Sequence, residues 1–280
     1  MTGAVRAAVL GSPIAHSLSP ALHAAAYREL GLDSWTYEAI ECDEAGLPGL
    51  VGSLGPQWAG LSLTMPLKRA VLPLLDQAEP LVPEIGAANT VLLRAGRRIG
   101  HNTDVRGIAS AMRSAGVTPA GNVAVIGGGA TACAVLAALR GAVTQEVTVL
   151  VRAPARAEPL LAAAGRLGVV VRLAELGGAV VDGDWDLLVS TVPGHAADPV
   201  AAQITAGGVT ARAVFDVVYD PWPTALAAAA AGSGATVISG YEMLVHQAAG
   251  QVELMTGRQA PVSVMRVAGL TELDRRRNIR

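Results

Sequence analysis

Residues 123–139, VAVIGGGATACAVLAAL, constrain this chain more than any other stretch. Four apolar residues run into three glycines and then into an alanine-rich segment, which reads as buried strand, glycine turn and helix. Gly127, Gly129 and Ala132 stand at the G-x-G-x-x-G/A spacing. Gly127 permits the tight turn, Gly129 lets backbone approach a pyrophosphate, and Ala132 lets helix and strand pack closely. A helix opening here aims unpaired N–H groups and its positive end at phosphates. Glycine-rich turns are common, so a tight turn without a ligand is the alternative. The strand before it and the helix after it supply the context that a dinucleotide site needs, and Gly127, Gly128, Gly129, Ala130, Thr131 and Ala132 are its expected cofactor turn.

The next strand, EVTVLVR at 146–152, bears on which dinucleotide is bound. An NAD-type site places an acid near this strand's end for the ribose hydroxyls. Here the strand ends in Arg152, Arg156 follows, and the first acid is Glu158. Two guanidiniums suit a 2′-phosphate held through charge-assisted pairs, so NADP(H) is favoured. The alternative is two ordinary surface arginines.

Around this unit the chain alternates strand and helix patterns, the mark of an α/β layer fold. RAAVLG at 6–11 reads as a buried strand and SLSPALHAAAYRELGL as a helix, with Ser19 as its cap, Pro20 in its first turn and Gly31 as its stop. SWTYEAIEC and WAGLSLTMP read as strands, LKRAVLPLL as a helix, and NTVLLRAGRRIGHNTD as a hairpin ending in a polar turn. A new unit begins near residue 104 with the helix DVRGIASAMRSAG. Later strands are DWDLLVSTVP and AVFDVVYDP, and EMLVHQAAGQVELMTG is the last helix. The RRRNIR tail reads as a solvated, frayed end.

At 280 residues the chain is long for one core and comfortable for two domains. With 51% hydrophobic residues, 16% charged and a net charge of −2, there is no basic surplus for nucleic acid or anionic lipid. Aromatics at 3% leave no stacking platforms for single strands. No stretch approaches the ~20 apolar residues of a membrane helix. The first residues lack the apolar run of a secretory signal. Cys42 and Cys133 fit two reduced thiols, and the protein is expected to be cytoplasmic. His23, His101, His195 and His246 make no metal spacing, so no metal is expected.

Lys68 is the only lysine beside twenty arginines. A lysine offers a compact ammonium that can exchange its proton, which arginine does not. Hydride transfer at an alcohol carbon needs a group to take or give the hydroxyl proton, and a lysine paired with a carboxylate can do so. Asp104 is the candidate carboxylate; its alternative is an N-cap for the helix it opens.

Taken in order, GSPIAHSLSPALH, LSLTMPLK, GAANT, NTD, GGGATA, YDPWPT and GYEMLVHQA resemble the motifs of the shikimate dehydrogenase family over nearly the whole chain. The resemblance implies NADPH-dependent, reversible reduction of 3-dehydroshikimate to shikimate in chorismate and aromatic amino-acid biosynthesis. It implies Lys68 and Asp104 as the catalytic pair at the reacting oxygen. Ser17 and Ser19 would bind the substrate carboxylate at a helix start, and Thr64, Asn89 and Gln247 the hydroxyls. Tyr219, Val217 and Gly240 would lie beside substrate and nicotinamide, and His16 would be a structural donor near the substrate.

The sequence departs from the family pattern in three places. Ser62 replaces a common asparagine, Val151-Arg152-Ala153 replaces Asn-Arg-Thr, and STVP at 190–193 lacks a common asparagine. The expected architecture is two α/β domains around a cleft. Residues 1–103 with 241–280 would form the substrate domain, and 104–240 a doubly wound, Rossmann-type NADP domain. Alternatives are a quinate/shikimate or aminoshikimate dehydrogenase and, outside enzymes, an NADP-binding sensor. The expected partner is the small-molecule substrate, with a monomer or homodimer as the assembly.

Overall fold

Short apolar strands alternating with helices build two six-stranded sheets in the computed structural model, which describes residues 4–119, 121–143, 145–176 and 183–278. The chain divides into two compact units, Met1–Asp104 with Val245–Arg280, and Val105–Leu244.

In the first unit the elements run β1 (Val5–Gly11), α1 (Ser19–Glu29), β2 (Trp35–Glu41), α2 (Leu47–Gly52), β3 (Trp58–Leu63) and α3 (Leu67–Ala70). After these come β4 (Gln77–Ala78), α4 (Leu81–Ile85), β5 (Thr90–Arg94) and β6 (Arg97–His101). The sheet order is β2-β1-β3-β5-β6-β4. β1, β2 and β3 pair in parallel, while β5 runs antiparallel to β3 and forms a hairpin with β6. Alternation along β1 sends its residues to two cores. Ala8 and Leu10 pack with Leu47, Leu61, Leu63 and Val71, whereas Ala7 and Val9 pack with Tyr27, Tyr37, Leu92 and Met255.

The second unit begins within α5 (Asp104–Ser114). It continues through β7 (Val123–Ile126), α6 (Ala130–Leu139), β8 (Val147–Val151), α7 (Glu158–Leu167), β9 (Val171–Glu175) and β10 (Gly183–Ser190). The last elements before the chain returns to the first unit are α8 (Asp198–Thr205), β11 (Val209–Asp216), α9 (Ala225–Gly232) and β12 (Thr236–Ser239). Every pairing in its sheet is parallel, in the order β12-β11-β10-β7-β8-β9. That is the doubly wound Rossmann order, with the sheet reversing direction at β7. Every residue of β7 and β8 is buried, as parallel strands covered on both faces require. The chain ends with α10 (Gly240–Thr256) and α11 (Val262–Arg277).

Four local expectations are corrected, the first being that EMLVHQAAGQVELMTG is not the last helix, since α11 follows it. LKRAVLPLL is α3 followed by a single 3₁₀ turn, Leu72–Leu74, because Pro73 has no N–H to continue a helix. Ser19 is the first residue of α1 and not its cap; the fully buried Leu18 takes the cap position with near-helical angles, and the Ser17 hydroxyl accepts from Ser19 N–H at 3.3 Å. The RRRNIR tail does not begin as a frayed end. α11 runs through Arg277, and Arg275 and Arg276 both pair with Glu272, at 2.8 and 2.7 Å; the last two residues of the tail lie outside the described residues. Cations at a helix C-terminus with an acid three and four residues upstream stabilise the last turn. Among the described residues no helix is long and apolar enough to cross a membrane.

Candidate active site

Lys68 and Asp104 are brought together by two unrelated local structures. Lys68 stands in α3, entered through a turn in which Leu67 N–H bonds to Thr64 O at 2.8 Å directly after β3. Asp104 opens α5 after the polar turn Asn102-Thr103, its own N–H held by Asn102 Oδ1 at 3.1 Å. Lys68 Nζ donates to Asp104 Oδ2 at 2.6 Å, with the two side chains 16% and 4% exposed. An ion pair this shielded is costly to break from one side, by about 3–5 kcal/mol in comparable cases, because a buried charge is left behind.

Asn89, 1% exposed just before β5, holds the other carboxylate oxygen: its Nδ2 donates to Asp104 Oδ1 at 2.8 Å. The orientation of this carboxamide is determined by its neighbours. Thr103 N–H, which can only donate, bonds to Asn89 Oδ1 at 2.8 Å, and Thr90 Oγ1 bonds to the same oxygen at 2.9 Å. The amide nitrogen is therefore the end that faces the carboxylate. Gln247 Oε1, from α10, accepts from Asn89 Nδ2 at 3.4 Å. Thus Lys68, Asn89, Asp104 and Gln247, far apart along the chain, form one hydrogen-bonded set within the first unit.

Two further residues support this set without standing out in the sequence. Thr90 orients Asn89, and Gln251 Nε2 bonds to Thr90 Oγ1 at 3.2 Å and to Asn89 O at 3.4 Å. Gln251 lies four residues after Gln247, one turn along the same helix face, and that i, i+4 spacing is the signal that could have found it.

Thr64 is half-buried at the end of β3, tied to β1 by Thr64 N–H to Leu10 O at 2.9 Å. A side chain at Gly11 would overlap the Thr64 methyl, so Gly11 allows that close approach. Ser17 and Ser19 join other bonds, at the start of α1. Ser17 is half-buried; Ser19 is 5% exposed, with its hydroxyl beside Tyr37. Tyr37 donates to Ser62 Oγ at 2.6 Å, so Ser62 is the acceptor for a buried tyrosine. Burial pushes the Tyr37 hydroxyl far above its ordinary pKa, which keeps it a donor. His16 is exposed.

The cofactor residues lie in the second unit. Gly127, at φ +113°, makes the turn after β7, and a Cβ there would meet Thr191 Oγ1. Gly129, by contrast, has ordinary φ −81° and nothing within 4 Å of a Cβ position, at the N-terminus of the ten-residue α6. Protein packing therefore does not demand a glycine at 129. Open space over unpaired helix N–H groups is what an approaching pyrophosphate needs. Ala130 and Thr131 begin α6 and Ala132 is fully buried against the sheet. Arg152 and Arg156 are exposed beyond β8. Val217 and Tyr219 follow β11, both half-buried, and Gly240 opens α10, where a Cβ would lie 1.9 Å from Val217 O. The bare backbone of Gly240 is thus required by its contact with Val217.

Residues 9–91, which include Ser17, Ser19, Thr64, Lys68 and Asn89, match the family model described as the shikimate dehydrogenase substrate binding domain. Residues 240–268 match the shikimate 5'-dehydrogenase C-terminal domain. The NADP(+) shikimate dehydrogenase of Symbiobacterium thermophilum is 35% identical over 276 residues, 95% of this chain and 94% of that one. The crystal structure of Mycobacterium tuberculosis shikimate dehydrogenase is 42% identical and superposes with a TM-score of 0.84 over 95% of this chain and 99% of that one. The Thermus thermophilus enzyme, solved in complex with NADP(H) and shikimate, is 36% identical with a TM-score of 0.83, covering 95% and 99%. Similarity of this extent, running the length of both chains, makes this protein a member of the shikimate dehydrogenase family.

Proposed function

We propose that this protein catalyses the reversible NADP(H)-dependent interconversion of 3-dehydroshikimate and shikimate, a step of chorismate and aromatic amino-acid biosynthesis. The observation that carries the reading is the Lys68–Asp104 contact at 2.6 Å, set among the carboxamides of Asn89 and Gln247. An ammonium fixed on a carboxylate and flanked by amides is the equipment for a secondary alcohol among other hydroxyls.

The chain fits the cofactor on its own geometry. The open backbone at Gly129, with Gly127, Gly128, Ala130, Thr131 and Ala132 around it, would hold the pyrophosphate, and Arg152 and Arg156 the 2′-phosphate. Val217 and Gly240 would lie toward the nicotinamide. When bound, the cofactor supplies hydride to the ketone carbon or takes it from the alcohol carbon.

In the reducing direction negative charge develops on the carbonyl oxygen. Lys68 stabilises that charge and gives the oxygen its proton. Asp104 holds the ammonium in place, and Asn89 holds Asp104, so the pair is oriented before substrate arrives. Thr64, Asn89 and Gln247 would bind the remaining hydroxyls, and Tyr219 would flank the ring. Ser17 and Ser19 would receive the ring carboxylate at the start of α1. The enzyme works in the cytoplasm, as a monomer or homodimer.

The test is nicotinamide absorbance with shikimate and, in parallel, quinate, each given NADP⁺ and NAD⁺ separately. Rapid reduction of NADP⁺ by shikimate is expected, with little from quinate. Removal of Lys68 by Lys68→Ala should lower kcat by ~100-fold or more, given typical acid–base contributions. Lys68→Arg keeps a cation for Asp104 but cannot exchange its proton, and should be nearly as slow. Near-normal turnover in either variant would refute the assignment of Lys68.

A further inference from the structure

We propose that Arg276, in the last turn of α11, is a positioning residue for the substrate carboxylate: it latches the loop that presents Ser17. The inference rests on the reading of Ser17 given above. Residues 12–18, between β1 and α1, have no regular structure and so depend on side chains to hold their shape. Glu41 fixes one end, accepting from Ser12 Oγ at 2.6 Å and Ile14 N–H at 2.9 Å. An internal bond from Ser17 N–H to Ile14 O, 2.9 Å, tightens the middle. The other end is held from the far end of the chain, where Arg276 Nη2 donates to Ser17 O at 3.1 Å across 259 positions.

Arg276 is itself held in place. Its Nε donates to Glu272 Oε1 at 2.7 Å, and the two side chains are only 23% and 19% exposed. Arg275 takes Glu272 from the exposed side with two bonds of 2.8 Å. The two guanidiniums hold the Glu272 carboxyl down to about 2, so it stays ionised. Arg276 and Ile14 O hold the Ser17 backbone on both sides, at its carbonyl and its N–H. The Ser17 hydroxyl accepts from Ser19 N–H and keeps its own O–H to donate to a carboxylate. The latch therefore acts on substrate through Ser17, without touching the reacting atoms.

The experiment compares Arg276→Ala, Arg276→Lys, Arg275→Ala, Ser17→Ala and the Arg276→Ala/Ser17→Ala double variant, in full-length protein checked by thermal unfolding. Arg276→Ala should raise KM for shikimate about tenfold, the scale of one charged hydrogen bond, while kcat and KM for NADP⁺ stay within about twofold. Arg276→Lys should recover part of the loss, and Arg275→Ala, which reaches Glu272 but not Ser17, should leave all three constants unchanged. In the double variant KM should rise little beyond Ser17→Ala alone, because both changes disable one element.

A raised KM in Ser17→Ala with an unchanged one in Arg276→Ala overturns the latch and leaves the role of Ser17 standing. An unchanged KM in Ser17→Ala overturns the role of Ser17, and the latch with it. A fall in kcat with both KM values rising together overturns the latch in favour of a general loss of fold. If Arg276→Ala does not fold, Arg276→Lys decides by the same constants.

Discussion

Stability in the first unit should carry a pH signature from a single side chain, His23. Its ring is fully buried in α1, stacked on Tyr37 at 3.7 Å and 15°, with the edge of Tyr27 at 6.0 Å. Nδ1 lies 2.9 Å from Ser19 O and so carries the proton, while Nε2 is buried with no hydrogen-bond partner among the described residues. Charging the ring would put an N–H⁺ at Nε2 against apolar surroundings. Burial accordingly lowers the pKa from 6.5 to about 4, against the weaker opposing pull of the Ser19 carbonyl. Well above pH 6.5 the ring is neutral both folded and unfolded, and contributes no slope. Below that value the unfolded chain takes up a proton that the folded chain refuses, so stability falls as pH falls, and the fall levels off below about 4.

Integrated from pH 8 to pH 5, the loss is about 2 kcal/mol, approaching about 3 kcal/mol near pH 4. The assay is urea unfolding at several pH values for the wild type and for His23→Asn, which keeps a donor for Ser19 O but cannot titrate. Burial raises the Asp216 carboxyl and works in the opposite sense, but it is common to both proteins and cancels in the difference. The wild type should lose about 2 kcal/mol more than the variant between pH 8 and 5, and the His23 ring resonance in the folded protein should stay flat over that range. Parallel pH dependences in the two proteins would refute the reasoning.

Two glycines should respond in opposite ways. Gly129→Val fills open space at an ordinary backbone angle, so thermal stability should hold while KM for NADP⁺ rises about tenfold or more, read by steady-state kinetics. Gly240→Ala sets a Cβ 1.9 Å from Val217 O, so it should cost about 3 kcal/mol or more of stability, visible as a lowered Tm. The double variant Arg152→Ala/Arg156→Ala should raise KM for NADP⁺ at least about tenfold and leave KM for NAD⁺ nearly unchanged, since the guanidiniums would act only on the 2′-phosphate.

The fold was legible where burial makes a run of one kind. β7 and β8 are apolar at nearly every position because parallel strands are covered on both faces, and the glycine turn marks where β7 gives way to α6. α11 was not legible. Its buried positions Met265, Gly269 and Leu273 make only a narrow line, and the apolar Val267 and Leu270 between them are exposed, which blurs the helical period. The 3₁₀ turn at Pro73 has a local cause, a missing N–H inside an apolar run, whereas the cap position falls to Leu18, whose full burial overrides the serine pattern around it.

At the site, legibility followed rarity more than importance. Lys68 stood out because it is the only lysine, and Asp104 because it closes a polar turn at a helix start. The groups that orient them are common residue types whose identity carries little information by itself. Thr90 and Gln251 matter through where their hydrogen bonds end, which is on Asn89, and Asn89 through which end of its amide faces a carboxylate. Arg276 is the extreme case. Among twenty arginines, one in a terminal run reads as solvated charge, and the contact that distinguishes it lies 259 positions away. A residue type the chain uses everywhere hides its specific uses, so the parts of this site least visible in the sequence are those built from its most abundant cation.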